Sequence, residues 1–145
     1  REAIEDNQIA ELASYDSLRA EVKYGEKSRI DLLLERVGAP DCYVEIKNVT
    51  LLAEEGIAAF PDSVSKRATK HMNELMSMIE QGHRAVVFFL VSRTDVERMR
   101  PADHIDPVYG EALRTAVAAG VEALAYRLNF SEGAVTVGHS IPIDL

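Results

Sequence analysis

The chain has one cysteine, Cys42, no tryptophan and only five tyrosines and four phenylalanines among 145 residues. A single cysteine excludes an internal disulfide and a cysteine-rich zinc site, and it makes the reducing cytosol the expected compartment. The longest apolar run, residues 85–91, falls far short of the roughly 20 residues that span a bilayer, so we expect no membrane association. A signal-peptide core and a starting Met are both missing, which indicates a fragment of a longer chain.

Positive charge is also scarce, because 16 Lys and Arg face 24 Asp and Glu for a net charge of −8. This balance argues against a simple nucleic-acid binder with one basic face. The charge is unevenly spread, however: residues 61–100 hold 7 basic and 5 acidic side chains, whereas residues 1–60 hold 7 and 13. We therefore expect any anion-binding surface to involve the middle of the chain. The carboxylates of the first part are candidates for neutralisation by metal ions.

Hydrophobic periodicity predicts one α/β domain over residues 1–145, with a mixed central sheet flanked by helices. Alternating patterns predict an antiparallel meander of three strands, at residues 18–24, 28–35 and 42–47. Helical spacing predicts three helices, at residues 3–13, 63–81 (with Ser63 as N-cap) and 109–119. Further strands are expected at residues 85–91, 121–127 and 135–137, and loops at residues 51–62 and 101–107.

Two carboxylates and one ammonium are expected to converge on this meander. Glu45 and Lys47 lie two apart on the third strand and so share a face, and pairing through the intervening turn brings Asp31 beside Glu45. Carboxylate and carbonyl oxygens suit hard divalent cations such as Mg²⁺, so Asp31, Glu45 and the Ile46 carbonyl could hold one or two ions. Such an ion polarises a phosphodiester, while Lys47 could orient or deprotonate a water or stabilise charge on phosphate.

Two further carboxylates, Glu21 and Glu11, are candidate extra ligands or supporting groups for this metal site. The alternative is structural, since a Glu and a Lys two apart on a strand often only face water. Spacing by itself therefore leaves the metal site as the less common outcome.

The order of elements changes this balance. A helix, three strands, a helix and a strand, with Asp31 on the second strand and Glu45, Ile46 and Lys47 on the third, resembles the αβββαβ core of the PD-(D/E)XK restriction-endonuclease-like superfamily. The proline that gives this pattern its first letter is replaced here by Ile30. The resemblance implies catalytic roles for Asp31, Glu45 and Lys47, with Mg²⁺ or Mn²⁺ as cofactor.

A second resemblance covers nearly the whole chain. It rests on six segments, at residues 28–34, 44–51, 60–64, 70–71, 104–109 and 120–122. Together they resemble the sugar fermentation stimulation protein A family of bacterial and archaeal proteins. The resemblance implies DNA binding, a link to regulation of sugar (notably maltose) use, and an N-terminal OB-like domain before a nuclease-like domain. This chain resembles the nuclease-like domain without the OB-like domain.

In the PD-(D/E)XK superfamily, the helix after the third strand faces the active site. In this chain, four residues of the corresponding helix are basic or titratable. Lys66, Arg67, Lys70 and His71 form two adjacent stripes and are predicted to contact DNA phosphates; the alternative is a solvated helix face. Three functions stay open: a metal-dependent deoxyribonuclease without sequence preference, a non-catalytic DNA-binding regulator, or a protein-interaction module. A homo-oligomer also stays open.

Overall fold

The computed structural model describes residues 1–145 and contains nine strands in two sheets. The strands are β1 (Ser17–Tyr24), β2 (Ser28–Glu35), β3 (Cys42–Val49), β4 (Leu51–Glu54), β5 (Gly56–Phe60), β6 (Arg84–Val91), β7 (Val96–Pro101), β8 (Glu122–Ser131) and β9 (Ala134–Ser140). The helices are α1 (Glu2–Glu5), α2 (Lys66–Glu80) and α3 (Pro107–Ala118), with one 3₁₀ turn at Ala10–Leu12. No helix is both long and apolar enough to cross a membrane.

The main sheet is mixed, as the sequence predicts. Its strand order is β1-β2-β3-β6-β8-β9. The β1-β2-β3 meander is antiparallel, which confirms the predicted pairing. Strand β6 then pairs in parallel with β3, and β8 pairs in parallel with β6, across connections that contain α2 and α3. Parallel strands need such crossover helices because the chain must return to the same end of the sheet. The predicted fold class, a mixed central sheet flanked by helices, is confirmed.

The sheet has a separate apolar cluster on each face. The larger cluster packs α2 and α3 against β3, β6 and β8, with Met72, Leu75 and Phe89 fully buried. The smaller cluster covers the opposite face with the N-terminal segment, through Ile4, Ile9 and Leu12. Burying both faces explains why β6 is a continuous apolar run and not an alternating one.

The predicted helix at residues 3–13 is wrong. Helix α1 ends at Glu5, and Asn7 then takes a left-handed φ of 54°, which an α-helix cannot continue. The chain runs on through an extended Ile9 into the short 3₁₀ turn. Tertiary burial of Ile4, Ile9 and Leu12 produces the spacing that suggested one helix.

The predicted loop at residues 51–62 is also wrong, because most of it forms β4 and β5. These strands make an antiparallel hairpin, and β5 pairs in parallel with β7 to form a small second sheet. Strand β7 was not predicted either, since its sequence, Val-Glu-Arg-Met-Arg-Pro, is polar. Its alignment depends on a partner some 40 residues earlier in the chain, which a local pattern does not encode.

Helix α2 begins two residues later than predicted, and a buried aspartate ties it to α3. Ser65, not Ser63, is the N-cap, and its Oγ accepts a hydrogen bond from the Ala68 N–H at 3.1 Å. The Asp106 carboxylate accepts from the Ser65 N–H at 2.8 Å and from the Tyr109 N–H at 3.0 Å, so it also caps α3. A side-chain cap stabilises a helix by about 1 kcal/mol. These two hydrogen bonds of Asp106 fix the start of α2 beside the start of α3.

Candidate active site

Strands β2 and β3 separate where the predicted site lies. Their pairing covers only three residue pairs and ends at Leu32 and Val44. Continuing that register would place Asp31 opposite Glu45, but the ladder stops and the Asp31 Oδ2 accepts the Ile46 N–H instead, at 2.7 Å. A side chain thus replaces a strand partner. The carboxylate of Asp31 is held against the peptide that joins Glu45 to Ile46.

Glu45 and Lys47 project from one face of β3 toward α2 and meet His71. The Lys47 Nζ donates to the Glu45 Oε1 at 2.9 Å, and the His71 Nδ1 lies 2.7 Å from the same oxygen and 3.0 Å from Nζ. One ring nitrogen either donates to the carboxylate or accepts from the ammonium, and it cannot do both. The three groups therefore form a tight cluster with two competing hydrogen-bond patterns.

Burial sets the electrostatics of the two carboxylates. Glu45 is only 3% exposed, and burial opposes its charge, but the hydrogen bond from His71 and the charge of Lys47 outweigh burial and hold the pKa of Glu45 below its usual value. Burial is the largest influence on Asp31 too, and there it raises the pKa despite the Ile46 N–H bond. Glu45 additionally raises the pKa of Asp31 by charge repulsion. Paired carboxylates in unequal environments are typical of catalytic sites.

One oxygen of the Glu45 carboxylate has no partner. Its Oε2 is buried and makes no hydrogen bond, although a buried carboxylate oxygen is costly to leave unpaired. A divalent cation or a water would satisfy that oxygen, so Asp31 and Glu45 fit a hard metal ion by charge and donor type. No group of three or more His, Cys, Asp or Glu side chains comes together in a metal-binding arrangement. Water and the Ile46 carbonyl are candidates for further ligands.

Glu11 and Glu21, the two candidate extra ligands predicted from the sequence, have different surroundings. Glu11 lies at the opposite face of the sheet, where its Oε2 accepts from the Tyr126 hydroxyl at 2.6 Å, so it does not join the site. Glu21 is exposed on β1 in a left-handed backbone conformation, φ 53°, between the pairs Ala20–Leu32 and Val22–Ile30 of the β1–β2 ladder. Its backbone carbonyl accepts from Arg29. Glu21 is therefore near the site along the strand, but no contact ties its carboxylate to it.

The four residues of the predicted phosphate-contacting stripe divide into two groups. Lys66, Arg67 and Lys70 are exposed, and the Lys70 Nζ donates to the Glu26 carbonyl at 3.1 Å. His71 is only 5% exposed and points at Glu45, which places it inside the site and away from solvent. This burial favours a role for His71 beside Glu45 over the predicted contact with DNA phosphate. The helical spacing does indicate this burial, because His71 is three residues after buried Ala68 and shares the apolar face of α2.

Besides Glu45 on β3, a further carboxylate is buried, Glu74 on α2, and the sequence did not predict it. Glu74 is 8% exposed, and its Oε1 accepts from the Ser28 hydroxyl at 2.7 Å while its Oε2 is unpaired. The unpaired hydroxyl of Tyr24 is buried nearby, and burial, with the charges of Glu45 and Glu74, raises the pKa of Tyr24. The buried polar groups of the site therefore continue, through Glu74, Ser28 and Tyr24, between α2 and the β1–β2 hairpin.

Comparison with known proteins agrees with this architecture. The family described as "Sugar fermentation stimulation protein RE domain" matches residues 1–134. A sugar fermentation stimulation protein homolog from Pelobacter propionicus is 53% identical over 145 residues, covering 100% of this chain and 62% of the relative. Another from Geotalea daltonii is 54% identical over 143 residues, covering 99% of this chain and 61% of the relative.

A solved structure has the same fold. The structure of Pyrococcus furiosus SfsA in complex with Ca²⁺ matches with a TM-score of 0.87 at 29% identity, and covers 99% of this chain and 61% of that one. The fold and the family match define a restriction-endonuclease-like α/β domain. The chain belongs to the sugar fermentation stimulation protein (SfsA) family. It spans about three fifths of the length of the curated relatives it matches.

Proposed function

We propose that this domain binds DNA and hydrolyses phosphodiester bonds at Asp31, Glu45 and Lys47 with Mg²⁺ or Mn²⁺. The observation that carries the proposal is the buried Glu45 carboxylate, whose Oε2 has no partner and whose pKa is held low by His71 and Lys47. A carboxylate kept ionised with a free oxygen is suited to a cation. The Ca²⁺ named for the Pyrococcus furiosus relative supports a divalent ion at this fold.

Each residue of the site has a role in this proposal. Asp31 and Glu45 would hold the cation, which would supply charge stabilisation for phosphate and lower the pKa of a bound water. The ammonium of Lys47, 2.9 Å from the Glu45 Oε1, is placed to orient that water or to stabilise charge on the phosphate. The buried, free Cys42 agrees with a reducing cytosol, where DNA is available. In the longer protein, an OB-like domain would add affinity for nucleic acid.

A second candidate function is DNA binding without cleavage, in a regulator of sugar use. One observation favours it: no three His, Cys, Asp or Glu side chains form a metal-binding group, so protein ligands for an ion are few. Water ligands are common for Mg²⁺, however, and two carboxylates suffice in many Mg²⁺ sites. The partnerless Glu45 oxygen favours the enzyme, because a pure binder gains nothing from a carboxylate facing phosphate.

Plasmid nicking by the full-length protein separates the two candidates. We expect nicking in millimolar Mg²⁺ or Mn²⁺ that chelation removes and that Lys47→Ala abolishes. Arg98→Gln serves as the control, since Arg98 is ion-paired to Asp144 at the small sheet, away from the site. DNA binding without nicking in either ion would establish the non-catalytic function. Nicking that persists in the Lys47→Ala variant would contradict the assignment of the site.

A further inference from the structure

Unpaired basic side chains gather at one place on the surface. Ten of the sixteen Lys and Arg side chains form ion pairs with carboxylates. A further one, Arg36, lies over the ring of Tyr15 at 5.9 Å. The remaining five are Lys23, Lys27, Arg29, Lys66 and Arg67, at the end of the β1–β2 hairpin and the start of α2. In a chain of net charge −8, this grouping is unlike the rest of the surface.

The hairpin end and α2 are held together by direct contacts. The Lys70 Nζ donates to the carbonyl of Glu26 in the hairpin turn, and the Glu74 carboxylate accepts from Ser28 at the start of β2. Across residues 21–29 and 66–70 there are six basic side chains and two acidic ones, Glu21 and Glu26, for a net of +4. Val22, Tyr24 and Ile30 pack in the apolar cluster of α2, and Ser28 bonds to Glu74, so strand alternation directs Lys23 and Arg29 to the opposite face of the hairpin. Positive charge therefore lies on both sides of the hairpin end, with α2 on one side, and we call this region the hairpin–helix surface.

This surface adjoins the candidate active site on two elements. Arg29 lies two residues before Asp31 on β2, and Arg67 lies one helical turn before His71 on α2. A duplex that contacts both elements would thus lie at the end of the sheet where β2 and β3 separate beside Asp31. The end of the sheet where β2 and β3 separate is the same end that carries the hairpin turn.

Two local features of the hairpin lower the stability of the folded chain. Lys23 and Arg29 are directly opposed across β1 and β2, an arrangement in which like charges repel. Lys27 has a left-handed φ of 62°, a conformation in which glycine is the least strained residue. Strained or repulsive positions of this kind are enriched at functional sites.

We infer that the β1–β2 hairpin, through Lys23, Lys27 and Arg29, is a backbone-binding element for duplex DNA that extends the contact begun by Lys66 and Arg67 on α2. This inference rests on the proposed function. Its contacts go to phosphates, because Lys and Arg side chains on an exposed turn neutralise backbone charge without reading sequence. Binding releases counterions, so the logarithm of affinity falls with the logarithm of salt concentration by about 0.9 for each phosphate contact.

The test compares two triple variants that lose the same charge. The hairpin variant is Lys23→Gln, Lys27→Gly, Arg29→Gln. The control is Arg98→Gln, Arg100→Gln, Arg114→Gln, in which each arginine is already ion-paired, to Asp144, Glu54 and Asp103. Fluorescence anisotropy with a labelled duplex is measured in EDTA, which prevents cleavage, between about 50 and 200 mM salt. We expect the salt slope to fall by up to about 2.7 in the hairpin variant and to stay at the wild-type value in the control.

Lys27→Gly keeps the inference testable if the triple variant folds poorly. Glycine relieves the left-handed strain, so this single variant should melt at or above the wild-type temperature while its salt slope falls by about 0.9. An equal change of slope in the hairpin variant and the control would overturn the inference, since net charge alone would then act. An unchanged slope in Lys27→Gly and the triple variant would overturn it while leaving DNA binding intact. A wild-type domain that binds no duplex would overturn both DNA binding and the inference.

Discussion

The Asp31 carboxylate accepts a hydrogen bond from the backbone N–H of Ile46, with its Oδ2 2.7 Å from the nitrogen. This contact stands where the β2–β3 ladder would otherwise continue, and it holds Asp31 beside the strand that carries Glu45 and Lys47. Because the strands separate here, the Ile46 N–H is bonded by a side-chain carboxylate and not by a carbonyl of β2. The environments of the two carboxylates differ, so that the pKa of Asp31 is raised and the pKa of Glu45 is lowered.

Asp31→Asn should stabilise the metal-free domain at neutral pH. Burial raises the pKa of Asp31 above its unfolded value, so ionising this group opposes folding; the penalty is absent below the ordinary Asp pKa of about 3.9 and appears as pH rises through the folded pKa. Asparagine keeps an oxygen for the Ile46 N–H and carries no charge. We expect Tm to rise by about 2–6 °C at pH 7. Calorimetry should show this gain vanish below about pH 3.9, and a gain that persists there would contradict the explanation.

Glu45→Gln should have the opposite effect. The pKa of Glu45 is held low by the hydrogen bond from His71 and the charge of Lys47, against burial, so its ionised form contributes stability that is present above the unfolded pKa and lost as pH falls through the folded pKa. The variant leaves the nearly buried Lys47 ammonium without its carboxylate. We expect a loss of about 1.5–3 kcal/mol in urea unfolding at pH 7. Equal stability of Asp31→Asn and Glu45→Gln would show that their environments do not differ as described.

Local patterns predicted the strands of the site but not its interior. Alternation in β1, β2 and β3 is a property of adjacent residues, and it placed Glu45 and Lys47 on one face correctly. The small sheet was missed because β5 and β7 are defined by pairing with each other across some 40 residues. His71 was predicted to contact phosphate with Lys66, Arg67 and Lys70 because its charge type outweighed its position on the buried face of α2. Burial of a polar residue depends on its partner, here Glu45, and a partner 26 residues away is not visible in a helical pattern.

His71 should affect metal affinity and not the salt dependence of DNA binding. Its Nδ1 lies 2.7 Å from the Glu45 Oε1, so it orients the carboxylate that would hold the ion, and it is too buried to reach phosphate. We expect His71→Leu to weaken Mn²⁺ binding about 10- to 100-fold by calorimetry. His71→Asn, whose amide can replace Nδ1 as a donor to Glu45, should retain most of the affinity. A changed salt slope for DNA in His71→Leu, in a domain with native circular dichroism, would contradict a purely internal role.

The exposed basic residues of α2 should contribute unequally to DNA binding. Lys66 and Arg67 form no ion pair, whereas Lys70 donates to the Glu26 carbonyl and lies 3.6 Å from the Glu74 carboxylate, so less of its charge is available to a phosphate. We expect Lys66→Ala with Arg67→Ala to lower the salt slope by about 1.8, or about 0.9 for each phosphate that is no longer neutralised. Lys70→Ala should lower it by less and should instead reduce thermal stability, because it removes the link between α2 and the hairpin turn. Anisotropy titrations at several salt concentrations, paired with melting curves, measure both quantities. A slope change for Lys70→Ala that exceeds the change per residue in the Lys66→Ala, Arg67→Ala double variant would contradict the assignment, because the lysine already bonded to the hairpin would then be the stronger phosphate contact.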